Sequence, residues 1–261
     1  MRTKDLIDLA KDPNLIEGIY NYCDRWCERC PFTSRCLVYA TEKEDDDGDP
    51  ESRDINNEAF WRKLASIFQE TKRMIATWTE EAGIDLSQVD EDEMVLMEKR
   101  RSDAAQDEHA LAAQDYAAAV SQWFAEFDQT LEASDLEPTE SELEEKQQIE
   151  EARDVIAWYQ YQIAVKLMRA LSSQTDEADW RDDEADVEQN DSDGSAKVAL
   201  IGIDRSIGAW SLMHMFMQER ADSIKSLILQ LERLRQKAEL KFPNARDFIR
   251  PGFDEVLGDA N

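Results

Sequence analysis

The stretch IEEARDVIAWYQYQIAVKLMRAL, residues 149–171, decides the fold class. Its apolar residues Ile149, Ile156, Tyr159, Ile163, Leu167 and Leu171 return at intervals of seven, three and four, which places them on one face of an α-helix. No glycine or proline interrupts the run, and its Ala, Leu, Glu, Gln, Lys and Arg residues are good helix formers. The pattern predicts a helix over about 140–173, entered after Pro138 with Thr139 or Ser141 as its cap.

The same periodicity extends in both directions. Upstream, Ala113, Tyr116, Val120, Trp123, Phe124, Phe127 and Leu131 predict a helix over about 100–132. Further upstream, Phe60, Leu64, Ile67, Phe68, Thr71, Met74, Ile75 and Trp78 predict one over about 55–83, stopped by Gly83. Downstream, Leu200, Ile203, Ile207, Trp210, Met213, Met217, Ile224, Leu227, Ile228, Leu231 and Leu234 predict one long helix over 196–241, ended by Pro243. Phe248, Ile249, Pro251 and Phe253 form an apolar tail that can fold back.

Four such helices are the ingredients of an all-α fold with a four-helix-bundle-like core. Eight glycines and six prolines in 261 residues are too few for the turns of a β-sandwich. The expected organisation is N-terminal helices with a four-cysteine module over 1–41, an acidic linker at 42–54, the bundle over 55–253 and a tail at 254–261. An acidic insertion at 174–195 interrupts the bundle. Within 1–41 the expectation is a helix at 3–11, a break at Asp12-Pro13-Asn14, and a second helix from Asn14 into the cysteines. Both acidic segments offer too little apolar surface to offset chain ordering and read as disordered.

The net charge of −29 repels nucleic-acid phosphates and anionic membranes, so neither is an expected partner; a basic protein is the partner such a field favours. No run approaches the apolar length of a membrane helix, and the N-terminus lacks a signal-peptide core, so the expected location is cytoplasmic. In that reducing compartment, clustered cysteines are metal ligands more often than disulfides.

All four cysteines, Cys23, Cys27, Cys30 and Cys36, fall within 14 residues as C-x3-C-x2-C-x5-C. A helix reaching Cys27 would put Cys23 and Cys27 on one face; Pro31 then stops the C-x2-C turn from closing as helix, and Cys36 returns after a short loop. Arg25, Arg29 and Arg35 are placed to offset thiolate charge, and Tyr22, Trp26 and Phe32 to exclude water. The four cysteines are therefore the candidate metal- and cofactor-binding residues. Close spacing with a proline directly after Cys30 points to a [4Fe–4S] cluster. A four-thiolate zinc site is the alternative, although only one C-x2-C knuckle is present.

The stretch Cys27-Glu28-Arg29-Cys30-Pro31-Phe32-Thr33-Ser34-Arg35-Cys36 resembles the C-x2-C-P-aromatic-x3-C arm of iron–sulfur nucleases of CRISPR adaptation and double-strand-break processing. The resemblance implies [4Fe–4S] ligation by Cys27, Cys30 and Cys36. It covers ten residues, and no nuclease core of strands with Asp and Glu-x-Lys accompanies it. Separately, Cys23, Cys27 and Cys30 resemble the C-x3-C-x2-C of radical S-adenosylmethionine enzymes, which implies three ligands and one open iron. The nearby Cys36 and the lack of β/α alternation depart from that family.

Other candidates carry less chemistry. His109 and His214 lack the Glu three residues before them that a ferritin-like di-iron centre needs. Asp204 interrupts an apolar turn, and with Glu150, Glu151 or Asp154 would build a carboxylate metal site; the competing expectation is an internal salt bridge. Met213, His214, Met215 and Met217 do not share one helix face and read as packing residues. Residues 220–250 hold eight basic and four acidic side chains, suited to docking acidic segments. Three functions are thus expected: an iron–sulfur-binding helical protein of redox, sensing or structural role, a zinc-stabilised module recruiting partners through acidic segments, or a bundle metalloenzyme.

Overall fold

The computed structural model describes residues 9, 11–45, 48–85, 91–128, 139–179 and 190–254. Those residues contain seven α-helices and no strand: α1 Leu37–Asp45, α2 Glu58–Ala82, α3 Glu91–Gln106, α4 Glu108–Asp128, α5 Glu140–Asp179, α6 Asp191–Phe216 and α7 Ala221–Lys241. The all-helical expectation holds. The chain divides into two compact units, 1–96 with 251–261, and 97–250, the division falling within α3. The second unit therefore starts at Met97 and not at residue 55, and α2 belongs to the first.

Within the second unit, α5 packs on α4 and α6, and α7 packs on α4 and α6, so the four helices enclose one core. Ala113, Tyr116, Val120, Trp123 and Phe127 fill it from α4, and Ile156, Tyr159, Ile163 and Leu167 from α5. Leu200, Ile203, Trp210 and Met213 come from α6; Ile224, Leu227, Leu231 and Leu234 come from α7. These are the residues that the three- and four-residue spacing selected, because the face away from water must be the apolar one.

Small residues set the closest approach. A Cβ on Gly202 would stand 2.9 Å from Tyr159 Cδ1 and 3.2 Å from Ile163 Cγ1, so α6 meets α5 where it has no side chain. Two indoles of the core are paired: Trp210 Nε1–H donates to the Tyr116 hydroxyl at 2.9 Å, and Trp123 Nε1–H donates to Ser223 Oγ at 3.0 Å. Trp123 also meets Trp210 edge-on, with ring centroids 5.0 Å apart.

The single long helix expected over 196–241 is two helices. α6 stops at Phe216, Met217 takes φ −117° and ψ 64°, and a 3-10 turn over Gln218–Arg220 leads into α7. The Gln218 side-chain amide donates to the carbonyls of His214 (2.7 Å) and Met215 (3.3 Å), occupying acceptors at the end of α6. One predicted helix thus contributes two core helices. α2 is not among them: much of its stripe, including Ile67, Phe68, Ile75 and Trp78, is exposed.

Helix ends follow local chemistry. Thr139 and Glu142 form a capping box, the Thr139 N–H donating to Glu142 Oε2 at 2.7 Å and the Glu142 N–H to Thr139 Oγ1 at 3.4 Å. Gly83 closes α2 in the left-handed region at φ 67°, as expected. The helix expected over 100–132 is interrupted at Asp107. Its carboxylate Oδ1 accepts from the His109 N–H (2.8 Å) and contacts His109 Nδ1 (2.7 Å).

The segment expected as a disordered linker at 42–54 carries the end of α1 and a 3-10 turn at Pro50–Arg53, whose Asp49 side chain accepts from the Glu51 N–H. A local cap supplies the hydrogen bonds that apolar burial does not. Likewise α5 runs on to Asp179 and α6 begins at Asp191, inside the expected 174–195 insertion. Residues 180–189, Leu131 and nearly all of the expected helix at 3–11 lie outside the described residues.

The Trp210–Tyr116 bond yields a prediction. Tyr116→Phe should leave the buried indole N–H without its acceptor, at a cost of about 1–3 kcal/mol in urea unfolding. Burial also raises the Tyr116 pKa above that of an ordinary tyrosine. The folded state therefore holds the phenol proton more tightly, and this contribution is full below pH about 10 and declines above it. Above pH about 10 the wild-type chain should therefore lose stability with an added slope that Tyr116→Phe lacks.

Candidate metal centre

The cysteine module lies in the first unit and is built from turns. Gly18 and Arg25 both have positive φ, at 71° and 57°. No α-helix runs from Asn14 to Cys27, so Cys23 and Cys27 do not share a helix face. For Arg25, a non-glycine residue in the left-handed region between two cysteines, the conformation is itself unfavourable.

Each remaining cysteine sits at the edge of a short 3-10 turn. Cys27 opens the turn Cys27–Arg29, and the Cys30 N–H closes it on the Cys27 carbonyl at 3.2 Å. Pro31 follows, and a second turn, Thr33–Arg35, delivers Cys36, whose N–H donates to the Thr33 carbonyl at 3.4 Å. The Ile16 N–H donates to the Arg35 carbonyl at 3.0 Å and ties the loop to the preceding segment.

This path brings Cys23, Cys27, Cys30 and Cys36 to the wall of one cavity of about 20 Å³. That is room for about one water. None of the four is in a disulfide. Two sulfurs have defined partners: Cys23 Sγ donates to the Tyr20 carbonyl at 3.5 Å, and the Phe32 N–H donates to Cys30 Sγ at 3.4 Å. The second contact aims a backbone donor at a sulfur. Among the described residues, no group of three or more His, Cys, Asp and Glu side chains is arranged as it stands to hold a metal ion.

The aromatic wall differs in part from the expected one. Trp26 lines the cavity, with Tyr20, Tyr39 and Phe253; Tyr22 and Phe32 are not in its wall. Phe32 instead packs edge-on against Phe253 at 5.1 Å. The C-terminal segment gets close because Gly252, at φ 75°, has no side chain: a Cβ there would lie 2.9 Å from Ile16 Cδ1 and 3.0 Å from Ile19 Cδ1. The expected fold-back of the tail therefore ends at the cysteines. Nothing in local spacing could place Tyr39 or Phe253 in this wall.

The electrostatics also differ from the expectation that arginines depress the thiol pKa values. Arg29 stacks over Trp26, 4.1 Å from the ring centroid, and Arg35 Nε donates to the Asn14 carbonyl at 3.1 Å. The Cys27 pKa is raised, first by burial, then by the Glu42 carboxylate and the three other cysteines. The protonated thiol is thus the favoured state of Cys27 without a cation.

The remaining candidates are engaged elsewhere. Asp204 is half-buried and paired with Arg246 at 2.6 Å and Arg235 at 3.4 Å. Arg246 also meets Glu239 at 2.7 Å, and Lys237 meets Glu108 at 2.5 Å, so basic side chains from 220–250 pair with neighbouring helices. His109 is buried beside Asp107. His214 Nε2 is buried without a hydrogen-bond partner. Met213 and Met217 are buried and Met215 is exposed, as helix geometry requires.

No helix among the described residues is long and apolar enough to cross a membrane. No family model, curated protein or solved structure matches the chain.

Cys27 should be a slow thiol in the metal-free protein. With iodoacetamide at pH 8, mass spectrometry should find Cys27 alkylated several-fold more slowly than an exposed cysteine in a reference peptide, because only the thiolate attacks. Glu42→Gln should speed Cys27 by removing a carboxylate that raises its pKa.

Proposed function

We propose that the chain is an iron–sulfur-binding helical protein in which Cys23, Cys27, Cys30 and Cys36 hold a [4Fe–4S] cluster. The centre serves a redox, sensing or structural purpose in a chain that also carries a four-helix-bundle-like core. The observation that carries this reading is that all four thiols line one cavity walled by aromatic side chains. Without a cation, charge on Cys27 is opposed first by burial, then by the Glu42 carboxylate and the three other cysteines. A cationic centre removes that opposition by replacing protons with metal.

The cluster would supply electron storage or a cross-link between the turns; the chain's own residues do the rest. The Phe32 N–H would stabilise charge on Cys30 Sγ, and Trp26, Tyr39 and Phe253 would limit water at the sulfurs. The position of Cys36 in the same wall as the other three favours a four-cysteine closed centre over one with an open iron. It is also consistent with the alternative of structural zinc.

Anaerobic purification followed by absorption spectroscopy and metal analysis tests the reading. The expected result is broad visible absorption with iron and acid-labile sulfide in equal amounts. A colourless protein carrying one zinc would replace the iron–sulfur reading with the zinc one, and a metal-free protein would remove both. Cys23→Ser should lower metal content, since four ligands are used. Metal retention should strengthen as pH rises, because protons compete for Cys27 up to a higher pH than for an ordinary thiol.

A further inference from the structure

On α2, Trp61, Leu64, Phe68, Thr71, Ile75 and Trp78 alternate strictly at three and four residues, the a/d spacing of a coiled-coil seam. The seam faces outward. Trp61 is 53% exposed, Phe68 59%, Ile75 46% and Trp78 62%, while Leu64 is half-buried. The helix is well anchored at its N-terminal end. Asn57 caps it, the Trp61 Nε1–H donates to the Ile55 carbonyl at 2.9 Å, and the Pro50–Arg53 turn packs against it. A capped helix with an aromatic seam in water is suited to receive another helix.

We propose that the occupant is α2 of a second copy of this chain, lying antiparallel. The seam is a palindrome about its midpoint between residues 69 and 70. Antiparallel pairing sets Trp61 against the partner's Trp78, Leu64 against the partner's Ile75, and Phe68 against the partner's Thr71. Large then meets small at the central layers, where parallel pairing would oppose Phe68 to itself and Thr71 to itself.

Charge selects the same occupant. α2 carries Glu58, Glu70, Glu80 and Glu81 against Arg62, Lys63, Lys72 and Arg73, a balance of zero in a chain of net −29. Two copies can therefore meet along this helix without adding local repulsion. The antiparallel register also brings Lys63 to the same flank as the partner's Glu81, about 7.5 Å apart along the axis and within reach of the two long side chains.

The contact is modest. Taking each aromatic side chain at roughly 150–250 Å², the exposed seam with Ile67 amounts to roughly 500 Å² per copy. About 1,000 Å² for the pair is the lower bound of a specific interface. A reversible dimer is the expected product.

Sedimentation velocity on the full-length chain over a range of concentrations tests the proposal. The wild type should form a concentration-dependent dimer, and Phe68→Glu should weaken it at least tenfold. Circular dichroism and the unfolding midpoint should stay the same, since Phe68 is exposed. Carbodiimide cross-linking of the dimer should join Lys63 to Glu81. These residues are roughly 27 Å apart along one helix, so the link must be intermolecular. A chain that stays monomeric overturns the proposal. So does a dimer that survives Phe68→Glu, or one without the Lys63–Glu81 link.

Discussion

In a wall of four cysteines around a cavity the size of one water, burial, the Glu42 carboxylate and the neighbouring sulfurs oppose charge on Cys27. That constraint governs the first unit. Its turns, its left-handed Arg25, its Ile16-to-Arg35 backbone tie and its returning C-terminal segment all converge on the cysteine wall. The raised Cys27 pKa expresses the same conflict in the protonated state. Metal binding would convert mutual repulsion into shared attraction, and would then contribute folding free energy to a module with few buried residues of its own.

The second unit needs no such centre. Apolar side chains from four helices fill its core, and the indole and phenol at its middle satisfy each other. Its ionic decoration lies at the rim, where Asp204, Arg235, Arg246 and Glu239 form a half-exposed network. Pairs of that exposure contribute little to stability, about 0–1 kcal/mol each, so the network positions side chains more than it stabilises the fold. Asp204, which reads from sequence as a possible metal ligand, is held by two arginines instead.

Much of the helical fold was legible because burial imposes a period that sequence displays directly. Tyr159, Ile163 and Leu167, or Tyr116, Val120 and Trp123, could be assigned to core faces without coordinates. The break at Met217 was not legible, since no proline or glycine marks it; a glutamine side chain capping carbonyls ends α6 there. The exposure of the α2 stripe was not legible for a related reason. Amphipathicity states that a face is apolar, but not that this chain buries it. At the candidate site, spacing alone identified Cys23, Cys27, Cys30 and Cys36. It did not reveal Tyr39 and Phe253 in the wall, or the burial and Glu42 charge that raise the Cys27 pKa, because these depend on tertiary contacts.

X-ray absorption at the metal edge of anaerobically isolated full-length protein tests the central claim most directly, because it reads the atoms bonded to the metal. The account predicts an iron edge, a first shell made of sulfur alone and a short iron–iron vector. A first shell containing nitrogen or oxygen donors in place of cysteine sulfur, or the absence of any bound metal, would contradict it.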